Sequence, residues 1–295
     1  MTVLVTGGTG FVGPKVVHAL RAEDRPVRIL ARKPERHGEL RAWGCEIVQG
    51  DMTDVNSLQR AVAGAEAVVH LVALPPFADP SEARRVMEQG TRDLVAAARE
   101  AGVRRFVLMS ALGVREDTKD VPAYNHAKWD EEHAVQESGL EHTIFRPSFV
   151  FGRDGGLLAS LLRLTRWSPL VPVPSERRLQ PIWVDDVAAF FARSLQIGAK
   201  GNGAWDLAGP DPVTWAELLE RIRRITGKRR LSFDMPSTLL RAGASVGKLL
   251  PPFRGAPGAV AMLESDDNVA DVTPAVETFG VQPISLEEQL RRAVS

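Results

Sequence analysis

The chain has 295 residues, and its 37 Lys and Arg balance 37 Asp and Glu, so it is formally neutral at pH 7. Neutrality argues against nucleic-acid binding through bulk electrostatics. The single cysteine, Cys45, cannot close an internal disulfide, which suits a reducing compartment. No apolar run approaches the ~20 residues of a membrane span. The first apolar run begins at Val3, where a secretory signal would need its charged start. The expectation is a cytoplasmic, globular protein without a transmembrane segment; peripheral membrane association stays open.

In chain order, the first element is the apolar run Val3–Thr6. Gly7, Gly10 and Gly13 follow, and then a helical pattern over Gly13–Ala22 that carries Val16, Val17 and Leu20. Gly8, Gly10 and Gly13 also fit a G-x-G-x-x-G spacing. Strand, glycine turn and helix start in this order are what a dinucleotide-binding βαβ unit needs. Glycine lets the chain turn tightly and lets backbone N–H groups approach a pyrophosphate. The helix N-terminus adds unpaired donors and a partial positive charge. A turn that only packs a helix closely on a strand would use the same glycines.

Further strands are expected at Val27–Ala31, Glu46–Val48, Ala67–Val72, Arg105–Met109 and Thr143–Arg146. Helices are expected at His37–Trp43, Val55–Val62, Ser81–Ala101 and Pro122–Ser138. The strand runs are continuously apolar, as in strands buried on both faces, and the βαβα succession implies a parallel, doubly wound sheet. Beyond Pro147 the chain changes character, with GRDGG, SPLVPVPS, LAGPDP and LLPPFRGAPG. Strand pieces remain at Gln180–Trp183 and Ala204–Leu207. Helical patterns remain at Asp185–Leu195, Trp215–Ile225 and Ser285–Ala293. Thr214 with Glu217 forms a capping-box pattern. Residues 1–150 with roughly 180–200 read as the dinucleotide-binding domain, and 151–179 with 201–295 as a smaller substrate-side lobe.

The second strand is followed by Arg32, Lys33 and Arg36. In the NAD version of this fold an acid binds the ribose 2′-hydroxyl about 20 residues past the glycines. A cation there suits a 2′-phosphate, so NADP(H) is expected over NAD(H), against the plainer reading of a solvated basic turn. After the third strand, Asp51 and Met52 can border an adenine, and Asp51 and Asp54 also fit turn and N-cap chemistry.

The chain's only tyrosine, Tyr124, stands four residues before Lys128, which puts both side chains on one helical face. An ammonium beside a phenol favours the phenolate and lowers its pKa, and such a tyrosine can exchange a proton with a carbonyl or alcohol. A surface i,i+4 pair is the plainer alternative. Among other candidates, His70 reads as a satisfied core histidine, and His126 as facing away from Tyr124. With one cysteine and scattered histidines, no metal site is expected. Asp185 and Asp186 suit a helix start. Trp167, Trp183, Trp205 and Trp215 read first as core.

Together TGGTGFVG (Thr6–Gly13), GDMTD (Gly50–Asp54), AGVRRFVLMS (Ala101–Ser110), YNHAK (Tyr124–Lys128), FRPSFVFG (Phe145–Gly152) and QPIWVDDVA (Gln180–Ala188) resemble an extended or atypical short-chain dehydrogenase/reductase. The likeness spans nearly the whole chain and is greatest to the branch of the nucleotide-binding accessory subunit of respiratory complex I. It implies a doubly wound Rossmann sheet of about seven strands and NADP(H) along its C-terminal edge. The cofactor would be held by Gly7, Gly10, Phe11, Val12, Gly13, Arg32, Lys33, Arg36, Asp51, Met52, Val72, Ala73, Lys128 and Pro147. Tyr124, Lys128 and Ser110 would be catalytic. Family enzymes carry a Ser or Thr that bonds the reacting oxygen, commonly where Leu112 stands here. Ser110 either takes that part or only caps its strand, and Thr118 is a weaker substitute. The resemblance therefore supports two readings. One is an oxidoreductase acting on a carbonyl or alcohol. The other is a non-catalytic NADPH-binding structural or assembly protein with a membrane-complex or quinone-linked partner. A sugar-nucleotide epimerase or dehydratase is a weaker third.

Overall fold

The structure, a computed structural model, describes residues 2–75, 78–118, 123–167, 170–173, 177–227, 231–234 and 268–294. The proline-rich stretches at 168–169, 174–176 and 249–258, Pro122 and the side chain of Trp167 lie outside what is described. Strands β1 (Val3–Thr6), β2 (Val27–Ala31), β3 (Glu46–Gln49), β4 (Ala67–His70), β5 (Arg105–Met109), β6 (Glu141–Pro147) and β7 (Gly203–Leu207) form one seven-stranded sheet. Every pairing in it is parallel and the order is β7–β6–β5–β4–β1–β2–β3. Alternate residues serve opposite faces: Val3 and Val5 join one core, Leu4 the other. That requires helices on both sides. They are α1 (Gly13–Ala22) against α5 (Val184–Ile197) on one face, and α2 (Val55–Val62) against α3 (Gly90–Glu100) on the other.

One expectation changes and another gains detail. The run Ala204–Leu207, expected in the second lobe, belongs to β7, the seventh strand of the main sheet, in register with Thr143–Pro147 of β6. An edge strand buries only part of itself, and here only Leu207 is fully buried, so no continuous apolar run advertises it. The helix expected over Ser81–Ala101 is present as one continuous helical stretch over residues 80–100, with a π-helical segment at Arg84–Gln89 before α3. At the start of α3, a Cβ on Gly90 would meet Met52 O at 2.9 Å, so this junction lies close under the third crossover.

The second lobe is not a separate core. Phe145 of β6 stacks with Phe191 of α5 at 4.9 Å and with Phe279 of the helix Thr273–Phe279 at 5.1 Å. Trp183 and Trp215 are buried in the same cluster, and Trp205 meets Phe279 edge-on at 5.3 Å. The helix α6 (Trp215–Thr226) starts with the expected capping box: Thr214 N donates to Glu217 at 2.8 Å, and Glu217 N donates to Thr214 Oγ1 at 3.2 Å.

Candidate active site

Strand order reverses between β1 and β4, and in open α/β sheets that switch point, at the carboxyl ends of the strands, is where ligands bind. A cleft of about 240 Å³ opens there, walled by Thr6, Gly7, Gly10, Arg32, Asp51 and Val72 among others. Two glycines make it. Gly7 has φ +74°, and a Cβ on it would meet the Leu71 carbonyl carbon at 2.7 Å; a Cβ on Gly13 would meet the Gly8 carbonyl carbon at 2.5 Å. The turn is thus tight enough to lay backbone along the cleft. The N-cap residue Val12 provides no side-chain cap and Pro14 has no N–H; Lys15 N donates to Val12 O at 3.1 Å, so the start of α1 offers an anion the Gly13 N–H and the positive end of the helix dipole. Phe11 turns from the cleft into a seat formed by Gly152, Gly155 and Gly156, where any added Cβ would overlap its ring. This cradle fits a dinucleotide pyrophosphate, and Leu30, Met52, Leu74 and Val86 supply an apolar wall beyond it.

At that end, Arg32 borders both the cleft and an adjoining hollow that it shares with Arg60, Asp51 and Asp54. Arg32 is exposed and makes no hydrogen bond or salt bridge among the described residues. Lys33 is the N-cap of a short 3-10 turn, and Arg36 borders a separate hollow with Lys15, His18 and Trp43. Asp51 accepts from Thr53 N at 2.9 Å and Thr53 Oγ1 at 2.7 Å, and Asp54 caps α2 through Asn56 N at 3.1 Å. These bonds, with Arg32 and Arg85 nearby, outweigh partial burial and hold the Asp51 carboxyl below the usual range. Arg60 and Arg85 carried no motif signal; only the fold brings them beside Asp51.

Beside the cleft, behind its Val72 wall and outside its lining, α4 (Ala123–Gln136) carries Tyr124 and Lys128 on one face. Lys128 is buried, and its ammonium lies 6.0 Å from the Tyr124 ring centroid. All three Nζ protons have acceptors: Glu131 Oε2 at 2.8 Å, Met109 O at 2.8 Å and Val72 O at 3.3 Å. Val72 lies in the cleft wall, so Lys128 braces that wall from behind. Expectation and structure part over the phenol. Burial raises the Tyr124 pKa, and Glu131 raises it further, against the lowering by Lys128. The phenolate is therefore disfavoured.

Behind Lys128 a buried polar chain crosses the switch point. Thr91 Oγ1 donates to Glu131 Oε1 at 3.4 Å, His70 Nε2 lies 2.9 Å from Thr91 Oγ1, and His70 Nδ1 lies 2.5 Å from Thr6 Oγ1. Thr91 has one hydroxyl proton and gives it to Glu131, so His70 Nε2 is the donor and Nδ1 accepts from Thr6. Burial, with the Lys128 charge, holds the imidazole neutral and its pKa down to about 3. His70 is thus the satisfied core histidine expected from the sequence.

Ser110, at the end of β5, is buried and donates to the Glu132 carboxylate, which Arg146 also grips through Nε at 2.9 Å and Nη2 at 2.5 Å. A hydroxyl has one proton, so in this arrangement Ser110 has none for a reacting oxygen. Thr118 is tied to its own loop through Gly113 O, Leu112 N donates to Pro147 O at 2.9 Å, and Pro147 ends β6 outside the cleft wall. Glu88, His126 and Asp130 bring ligand atoms within 4.8 Å of one another. Arg92 already bonds Asp130 at 2.6 Å and Arg84 stands 3.9 Å from Glu88, so the charge there is compensated. No helix among the described residues is long and apolar enough to cross a membrane.

Doubly wound sheet, glycine turn and switch-point cleft define an NAD(P)-binding Rossmann protein, which the resemblance to an atypical short-chain dehydrogenase/reductase fits. Residues 7–196 match the NAD(P)H-binding family, and the chain belongs to it. It is 31% identical over 246 residues to a ceramide reductase of Caulobacter vibrioides (83% of this chain, 77% of that protein). It is 32% identical over 287 residues to a (4-alkanoyl-5-oxo-2,5-dihydrofuran-3-yl)methyl phosphate reductase of Streptomyces griseus (95% and 93%). Over 289 residues it is 25% identical to the photosystem II assembly factor Ycf39 of Synechocystis (96% and 86%). Its fold is that of the NADPH-dependent quinone oxidoreductase QOR2 of Escherichia coli, with a TM-score of 0.80 at 18% identity, covering 99% of this chain and 100% of that one. The chain is thus an NAD(P)H-binding, reductase-like protein.

Proposed function

We propose that this protein is an NADP(H)-dependent reductase of a carbonyl compound, with Tyr124 as proton donor and Lys128 holding the site together. The observation that carries this reading is the pairing on α4: Lys128 Nζ, bonded to Val72 O in the cleft wall, stands 6.0 Å from the Tyr124 ring centroid. A bound nicotinamide supplies hydride to the carbonyl carbon. Tyr124 gives its proton to the carbonyl oxygen. A phenol kept neutral by burial is the correct form for that direction, and less suited to taking a proton from an alcohol. Arg32, exposed at the adenosine end, is the residue for a 2′-phosphate, with Lys33 and Arg36 outside it. The reductase names of two relatives support the chemistry.

NADPH oxidation against a panel of aldehydes, ketones and quinones tests the reading. The expected result is turnover with some member, lowered at least roughly 100-fold by Tyr124→Phe. Activity untouched by that substitution would defeat it. A second reading, a non-catalytic NADPH-binding assembly protein, draws on the engagement of Ser110 by Glu132 and on the assembly-factor relative. Tight NADPH binding with no turnover across the panel, together with recovery of a membrane-complex partner, would favour it.

A further inference from the structure

The carboxylate of Glu131 is the common acceptor of two converging sets of donors. On one side Lys128 Nζ donates at 2.8 Å; on the other the chain Thr6, His70, Thr91 ends on its second oxygen at 3.4 Å. Glu131 itself is fully buried. Burying a carboxylate is costly unless it is paired and hydrogen-bonded, and here both oxygens are partnered inside the sheet–helix interface. The carboxylate is held against the ammonium that lies 6.0 Å from the Tyr124 ring centroid, two turns along α4 from the phenol proposed to give up a proton. The groups that face it are Lys128, Tyr124 and Glu132 on its own helix, Thr91 on α3, and His70 on β4, which faces Lys128.

We propose that Glu131 is the positioning residue of the Tyr124–Lys128 pair. It accepts a hydrogen bond from one of the three ammonium N–H groups and holds Lys128 in place behind the cleft wall. Its negative charge also opposes ionisation of the Tyr124 phenol, so that the tyrosine works as an acid. The catalytic part of this inference rests on the reading of Tyr124 as proton donor; the electrostatic part does not. Two features agree with it. Glu131 raises the Tyr124 pKa, opposing the lowering by Lys128. Burial also lifts the Glu131 carboxyl to about 7 despite the adjacent ammonium, so the opposing charge is present in full in the alkaline range where the phenol titrates.

The chain has one tyrosine, so phenolate absorbance in the cofactor-free protein reports Tyr124 alone. In the wild type the phenol is expected to titrate above the ordinary value of about 10. In Glu131→Gln the midpoint falls by roughly half a pH unit or more, because the opposing charge is gone while Lys128 remains. Glu131→Asp, which keeps the charge, restores most of the difference. Where activity has been found, the alkaline limb of kcat in Glu131→Gln moves down by the same amount. An unchanged phenol midpoint in Glu131→Gln overturns the proposal. So does a wild-type midpoint below about 10, which needs no variant to fold. Retention of turnover by Tyr124→Phe would instead sink the proton-donor reading and leave the phenol titration standing.

Discussion

The adenosine end of the cleft and the buried cluster around Lys128 beside it are built on opposite principles. At the adenosine end, Arg32, Lys33 and Arg36 are exposed cations on a turn, and Arg32 has no hydrogen-bond or ion-pair partner among the described residues. Around Lys128, charges are buried and met by protein atoms: Lys128 by Glu131 and two carbonyls, Glu131 by Thr91, Glu132 by Arg146 and Ser110. Exposed charge is cheap to keep and free to take a ligand. Buried charge must be satisfied before any ligand arrives, or the fold fails. The contrast teaches that affinity and stability are separable here: changes among the exposed cations should act on binding, and changes in the buried cluster should also cost stability.

The largest effect that would break this contrast is at Lys128. Lys128→Met strands Glu131, fully buried, and is expected to cost about 3–5 kcal/mol in denaturant unfolding. A loss below about 1 kcal/mol would show that the buried pair is not structural. Next is a pH effect at His70. A histidine near 6.5 when unfolded and about 3 when folded binds fewer protons in the native state. Its contribution is whole above pH 6.5 and falls by about 1.4 kcal/mol per unit as pH drops below that. Glu131 acts in the opposite sense: its folded pKa of about 7 lies above the ordinary value of 4.5, so it favours the native state at low pH and loses that contribution as pH rises toward 7. The stability advantage of wild type over His70→Gln should therefore shrink steadily from pH 6.5 to 5. A constant difference would place a charged imidazole in the fold.

The adenosine end sharpens the comparison with smaller energies. Arg32→Ala should weaken NADPH binding roughly 10-fold to 100-fold by loss of a charge-assisted contact. It should leave NADH binding in place and change unfolding stability by less than about 0.5 kcal/mol; fluorescence titration with both cofactors checks this. Equal or tighter NADH binding by the wild type would overturn the NADP(H) preference. Lys33→Ala, at an N-cap outside the cleft wall, should have the smallest effect, a few-fold in NADPH affinity and mostly lost at high salt.

Much of this protein was legible in its sequence because the deciding physics is local. Val3–Thr6, Gly7–Gly13 and α1 were fixed by hydrophobic period and by glycines that a tight turn requires. The capping box at Thr214 and the i,i+4 spacing of Tyr124 and Lys128 are equally local. The tertiary structure alone decided what those pieces meet. β7 carries too little apolar sequence to announce that it pairs with β6. Ser110 is claimed by Glu132, 22 positions away, and His70 by Thr6, 64 positions away. The sign of the shift at Tyr124 depends on how deeply it is buried and on Glu131 opposing Lys128. Local spacing can place an ammonium beside a phenol, but the balance of charge and solvent that decides the proton belongs to the packed fold.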